Sequence, residues 1–186
     1  MLTLRTYLAL TAGALLFGGA VVLGQWLSQS DQAVTLIGNL GYVGLIGLGA
    51  VSGLNFILPV PAAAFAALYS AAGLTTIGVI LALALGTLIA DTIGFWVGTK
   101  LRLLVADSYP KITAYAHTMA QRGGYFVFIF VLLYAAFVPF PNEALLIPLA
   151  ISGVKFRYLV VPLIIGNILH QTILIVGVTT LTSIFG

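Results

Sequence analysis

The sequence contains no cysteine, which removes disulfides, thiolate metal sites and a cysteine nucleophile from consideration and leaves the redox compartment open. Charge is nearly as scarce. Only 6% of the 186 residues are Asp, Glu, Lys or Arg, against about 25% in a soluble domain. With 61% hydrophobic residues and a mean hydropathy of +1.19, such a chain cannot cover a water-facing surface, and an integral membrane protein is implied. Acids are the scarcer charge, four against seven Lys and Arg. The resulting pI near 9.3 does not point to nucleic acid, because no basic run interleaves with aromatics along one face. In a membrane protein such an excess marks cytoplasmic loops. Catalytic signatures are missing too: there is no Gly-x-Ser-x-Gly, His-Glu-x-x-His or phosphate loop, and His117 and His170 stand 53 positions apart. No enzyme, metal site or cofactor is expected.

What the chain does have is a repeat. Leu58-Pro59-Val60-Pro61 returns as Val138-Pro139-Phe140-Pro141, and the same offset of 80 carries Gly73 onto Gly153, Gly86 onto Gly166, Thr92 onto Thr172 and Thr99 onto Thr179. Internal repetition in an apolar chain is a mark of transporter architecture.

In chain order, residues 7–27 form an apolar run of bilayer length, longer than a signal-peptide core and without a cleavage site after it, so a retained transmembrane helix is expected. A polar link at 28–32 leads to 36–58, where Gly41, Gly44, Gly47, Gly49 and Gly53 allow close helix approach. Pro59 and Pro61 stop that helix, since proline lacks an N–H and clashes with the preceding turn, and 62–72 is only about half a span. Two arms joined by a break at mid-membrane read as a re-entrant hairpin. Residues 74–98 then make a full crossing. A polar stretch follows, with a short surface helix from Pro110 that carries Ile112, Tyr115 and Met119 on one face and ends at Gly123. The plan recurs as 125–138, the Pro139–Pro141 break, 144–154 and a last crossing from 159 to about 185.

The expected fold is therefore all-α and integral to the membrane. An N-terminal transmembrane helix with its link (1–33) precedes a membrane domain (34–186) that holds repeat 1 at about 35–99, an interfacial linker at 100–123 and repeat 2 at about 124–186. With a cytoplasmic N-terminus, Arg5, Lys100, Arg102, Lys111, Arg122, Lys155 and Arg157 all fall on the cytoplasmic side, provided each hairpin returns to the side it came from. The two repeats then sit in opposite senses, an inverted repeat.

Irregular backbone at membrane depth has to be buried in protein or line a wet cavity, so the two tips, Pro59 and Pro61 with Pro139 and Pro141, should meet each other. The half-helices beyond them would aim their N-termini at one region. Glu143 is the sharpest candidate, two positions past Pro141. A carboxylate at mid-membrane costs several kcal/mol unless it is solvated or paired, and fits a proton or cation carrier or a headgroup gate; the structural alternative is an N-cap partnership with Asn142. Asp91, inside the first full crossing, either belongs to a pathway or reaches for Lys100 or a helix end. His170, in the last crossing, is an interhelical hydrogen-bonder or a proton partner for Glu143. Asn55 and Asn167 are weaker candidates, as polar glue.

The stretch Ala90-Asp91-Thr92-Ile93-Gly94-Phe95-Trp96-Val97-Gly98-Thr99-Lys100 resembles the DedA family, also called the VTT-domain or SNARE-associated Golgi protein family, which carries a Gly-Asp-x-x-Gly-Tyr-Trp-x-Gly-Arg-like segment here. The likeness extends back through Gly41-Tyr42, Pro59-x-Pro61 and Ala72-Gly73, and forward through Arg122-Gly123-Gly124, Pro139 and Ser152-Gly153. It implies two opposed re-entrant elements and the movement of lipids: phospholipid scrambling in eukaryotic relatives, and recycling of undecaprenyl phosphate or phospholipid export in bacterial ones, with proton coupling proposed. Many members have an acid after the first tip and arginine after the second, where this chain has Ala62-Ala63 and Asn142-Glu143. The expected function is a multi-pass transporter of a cell (inner) membrane that moves a lipid or lipid-linked carrier between leaflets, flippase or scramblase in type, with a coupling proton. The alternatives are a proton-coupled exporter of small cations or drugs, and a non-transporting assembly factor. Membrane lipids are the expected partners, nucleic acid is not, and a homo-oligomer is compatible with the pattern.

Overall fold

The computed structural model describes residues 4–54, 61–105, 124–138 and 140–185. Asn55, Pro59, Pro139 and the expected surface helix at 110–123 lie outside the described residues. The order is α1 (Leu4–Leu27), α2 (Asp31–Gly53), a 3-10 turn (Ala62–Phe65) running into a short α3 (Ala66–Ala71), α4 (Thr76–Val105), α5 (Gly124–Phe137), α6 (Glu143–Ile151), a second 3-10 turn (Phe156–Tyr158) and α7 (Val160–Phe185). No strand occurs among the described residues. Three stretches, Asp31–Gly53, Thr76–Arg102 and Val160–Ile184, are long and apolar enough to cross a membrane, whereas Thr11–Leu27 and Gly124–Phe137 are apolar but shorter.

Helix α4 is the centre of the molecule, and its two faces explain why. On one, Ile77, Leu81, Leu85, Ile89, Ile93 and Trp96 are exposed, a stripe of large apolar side chains at helical spacing that water would not tolerate and acyl chains do. On the other, Ala82, Gly86, Ala90, Gly94 and Gly98 recur at every fourth position and are buried, a small-residue ridge that lets neighbouring backbones come close. Helix α2 lies on the first half of this ridge. A Cβ on Gly49 would stand 2.8 Å from the Leu83 carbonyl oxygen, and one on Gly53 2.7 Å from the Ala90 Cβ. Helix α6 lies on the second half, where a Cβ on Gly98 would come within 2.9 Å of Ile147 Cα and Ala150 Cβ. Helix α2 bends at Gly41, whose φ of 54° favours glycine. Just past the bend, the Tyr42 hydroxyl oxygen accepts the Thr75 N–H at 3.0 Å, and Thr75 Oγ1 accepts the Gly78 N–H at 3.2 Å, which fastens α2 to the start of α4.

The short helices begin and end in the same way. Ala64 N–H donates to the Pro61 carbonyl at 2.9 Å, and Ala144 N–H to that of Pro141 at 3.1 Å. At the far ends Leu74 N–H reaches the Tyr69 carbonyl at 3.1 Å and Val154 N–H that of Leu149 at 3.2 Å, each closing over a glycine of positive φ, Gly73 (76°) and Gly153 (84°). These are helix stops of the Schellman type. Since a Cβ in this backbone region costs about 1 kcal/mol, Gly73→Ala and Gly153→Ala should each lower stability by about that much. The two should lose about equally, because a Cβ on Gly73 meets nothing and one on Gly153 meets only the end of the exposed Arg102 side chain, which can swing away; thermal midpoints in detergent measure both.

Inter-helix contacts also come in pairs. Helix α2 packs on α4 as α5 packs on α7, α6 packs on α4 as the first 3-10 turn and α3 pack on α7, and α4 crosses α7. One apolar cluster includes Leu45, Ala63, Tyr69, Leu83 and Val178, the other Val131, Leu146, Leu159 and Leu163. Helix α1 leans on the first short helix, with Gly24 against the Ala64 carbonyl and Phe65.

Candidate functional site

Asp91 is 1% exposed, and α4 carries it into the crossing with α7. Its Oδ2 accepts Nδ2–H of Asn167 at 2.8 Å and Nδ2–H of Asn142 at 3.3 Å. The Asn142 amide also reaches Asn167 Oδ1 at 3.1 Å, so one side chain at the second tip holds both crossing helices. Asp91 does not reach for Lys100, whose ammonium lies 5.5 Å over the Trp96 ring. One turn earlier on α4, Thr87 Oγ1 accepts Nε2–H of Gln171 at 3.4 Å, while the Thr87 hydroxyl donates to the Leu83 carbonyl at 3.0 Å. An offset of 80 carries Thr87 onto Asn167 and Asp91 onto Gln171. The two polar ties between α4 and α7 are therefore each other's counterparts.

Glu143 opens α6 and is 5% exposed. Both carboxyl oxygens are buried and have no hydrogen-bond partner among the described residues. The side chain lies over Gly94, where a Cβ would stand 2.7 Å from Glu143 Cγ; without that glycine the acid has no room. Asn142 takes the N-cap position of α6 but has helical φ and ψ and makes no side-chain cap bond; its Nδ2 donates to Asp91 and Asn167 instead. The expected cap partnership between Asn142 and Glu143 is thus replaced by a tie across helices. Of the two readings of His170, the pairing with Glu143 is not formed and a hydrogen bond to a neighbouring helix is. His170, half-buried, has its Nδ1 3.2 Å from the Ala136 carbonyl; a carbonyl can only accept, so Nδ1 carries the hydrogen.

The tips share a cavity of about 90 Å³. Pro61, Ala62 and Ala63 wall it from the first unit, Val138, Phe140 and Asn142 from the second, and Thr87, Asn167, His170 and Gln171 from the crossing helices. Pro141 stands just behind, its carbonyl accepting from the Tyr134 hydroxyl at 3.4 Å. Asp91 and Glu143 flank Asn142 instead of lining the wall. Among the described residues no basic side chain enters this region: Lys100, Arg102, Lys155 and Arg157 are exposed, and Arg157 folds over Tyr158 at 4.8 Å. Nor do three or more His, Asp or Glu side chains converge as metal ligands among them.

Thr87 and Gln171 were not singled out from the sequence. The signal was available, since each crossing carries a polar pair four positions apart at the same place in its repeat.

The packing beside the site is reversed between units. Large α6 residues, Glu143 and Ile147, meet Gly94 and Gly98 of α4, whereas Ala62, Ala63 and Ala66 of the first short segment share an apolar cluster with Leu174 and Val178 of α7. Leu174 and Val178 are the offset counterparts of Gly94 and Gly98. Compared with models of protein families, with curated proteins and with solved structures, the chain matches none.

Proposed function

We propose that the chain is a membrane transporter of the DedA/VTT kind that moves a lipid or lipid-linked carrier between leaflets, with a proton bound at Glu143. In this reading α2 with α3, and α5 with α6, are two re-entrant hairpins, α4 and α7 are the full crossings, and α1 is a further crossing from a cytoplasmic N-terminus. The two units lie inverted in a cell membrane. Hydrogen bonds and helix contacts that recur at an offset of 80 support the repeat. The observation that carries the function is the cavity walled by both tips, with a buried acid beside it that has no partner among the described residues.

The mechanism follows from the cost of charge. With its proton, Glu143 is neutral and fits its dry position over Gly94. Without it, a charge left unpaired there costs several kcal/mol, so proton release requires the start of α6 to move toward water. That movement pulls Asn142 from Asp91 and Asn167 and parts the tips. A headgroup enters the cavity in the parted state, with its acyl tails remaining in lipid.

A second reading, a proton-coupled exporter of small cations, is favoured by one observation: the charged side chains at the site are the acids Asp91 and Glu143. Fluorescent-lipid translocation by the purified protein in liposomes, with and without a pH gradient, tests the first reading. It should exceed that of protein-free vesicles by about tenfold or more, the scale of about 1.4 kcal/mol off the barrier, and should respond to the gradient. Dye efflux with no lipid movement would transfer the conclusion to the second reading; neither activity would leave a scaffold.

A further inference from the structure

Away from the cavity, the end of α4 and the turn between α6 and α7 bring cationic side chains together. Helix α6 runs alongside α4 in the same direction, with Glu143 over Gly94, Ile147 over Gly98 and Gly153 beneath Arg102, where a Cβ on the glycine would stand 2.9 and 3.1 Å from the two terminal guanidinium nitrogens. The turn that follows is held to the same helix by the Phe156 ring, 5.0 Å from that of Phe95. Lys155 and Arg157 flank Phe156, so the fold gathers them at the end of α4 that carries Arg102. All three are exposed.

None of the three forms an ion pair among the described residues. Helix α2 also runs parallel to α4, Tyr42 meeting Thr75 and Gly53 meeting Ala90, so Asp31 at the start of α2 lies at the opposite end. Asp91 and Glu143 are buried beside the cavity. Arg157 gives one N–H to the Tyr158 hydroxyl at 2.8 Å, while Arg102 and Lys155 have no hydrogen-bond partner among the described residues. Exposed aromatic rings mark the same end, Tyr158 beside Arg157 and Trp96 on α4, and such rings settle at the headgroup level of a bilayer. From Trp96 toward the middle of α4, Ile93 and Ile89 continue the exposed apolar stripe.

Three cations without counter-ions beside an apolar wall complement a molecule with a negative headgroup and acyl chains. We infer that this corner binds the headgroup phosphate of an anionic phospholipid, with Arg102 as the forked donor and Lys155 and Arg157 as flanking charges. A soluble phosphate meets the same cations but gains nothing from the apolar stripe. Gly94 and Arg102 are eight positions apart (102 minus 94), about 12 Å of helix, so the headgroup sits clear of the cavity and is distinct from the cargo of the proposed transport. The inference needs only that the chain lies in a membrane. A lipid bound here joins α4 to the turn after α6 and fixes the end of α6, leaving its start free to move.

Thermal unfolding of the full chain in non-ionic detergent, with phosphatidylglycerol or phosphatidylcholine added at equal mole fraction, tests the site. Phosphatidylglycerol should raise the midpoint and phosphatidylcholine should not, since a ligand that binds the folded state alone stabilises it. Titrating that rise, Arg102→Gln, Lys155→Gln and Arg157→Gln should each weaken phosphatidylglycerol by about fivefold, the scale of one Lys or Arg near an anionic headgroup. Lys100→Gln removes the same charge from a side chain that lies over the Trp96 ring, and should weaken it by less than about twofold. Should a variant fail to fold, the two lipids compared on the unaltered protein decide. Equal stabilisation by both lipids, or by glycerol phosphate at matched ionic strength, overturns the inference. So does an unchanged affinity in all three corner variants, or a loss in Lys100→Gln as large as in Arg102→Gln, which would reduce the effect to net charge. Stabilisation by phosphatidylglycerol in a protein that moves no lipid leaves the corner standing and defeats the transport reading alone.

Discussion

Glu143→Gln should leave the protein folded and strip the proposed transport of pH dependence. The carboxamide has the size of the protonated carboxyl and carries no charge, so it fits the same place over Gly94, where both oxygens now lack partners among the described residues. Thermal stability should be unchanged or slightly higher. A loss of about 3 kcal/mol would instead reveal a cationic partner for Glu143, because removing one member of a buried pair costs that much. For transport, a step gated by one proton changes rate by up to about tenfold per pH unit. In the unaltered protein the conformation described here gains population as pH falls, since only the neutral acid tolerates it. The glutamine chain should vary by less than about twofold over the same range, by either losing activity or running at one rate. Transport with an unchanged pH profile in Glu143→Gln vesicles would remove this residue from the mechanism.

Gly86→Ala should be the most damaging single methyl in the chain, and Gly47→Ala harmless. A Cβ on Gly86 would run into the backbone of α2 at Ile46, Gly49 and Ala50, whereas one on Gly47 meets nothing within 4 Å. Backbone cannot rotate away as a side chain does, so α2 must separate from α4 along the whole ridge. Overpacking of this kind costs about 3 kcal/mol. At Gly47 the alanine gains up to about 1 kcal/mol of helix propensity. Unfolding midpoints of the two variants, both conservative by composition, should move in opposite directions. Equal midpoints would show that α2 does not depend on close approach.

Local features of the fold were legible in the sequence because local rules write them. The second proline pair follows closely on the end of α5 at Phe137, whereas α2 spans Asp31–Gly53 instead of the expected 36–58 and stops short of Pro59; Gly73 and Gly153 announce their stops 80 positions apart. The three long apolar segments were likewise placed by length, although α4 runs on to Val105 and past the expected end near Gly98. The site was only half legible. Asp91, Asn142, Glu143 and His170 were found because polar groups are conspicuous in an apolar chain. Asn167 was legible as polar glue, but its pairing with Asp91 was not, because the two meet where α4 packs on α7, 76 positions apart in sequence, and no local pattern encodes that contact. His170 illustrates the limit: that it would bond across helices was one of its two readings, but a carbonyl of α5 as the acceptor is invisible to any reading of side chains.

The reversed sizes beside the tips bear on how such a chain arose. A half-length polypeptide that paired with a copy of itself would place the same residue at the two matching positions, and here those positions demand glycine on one helix and leucine or valine on the other. Identical halves would leave a hole on one flank or a collision on the opposite flank. Within one chain the two halves can differ at such positions, and the acid over Gly94 uses the room that the glycine leaves.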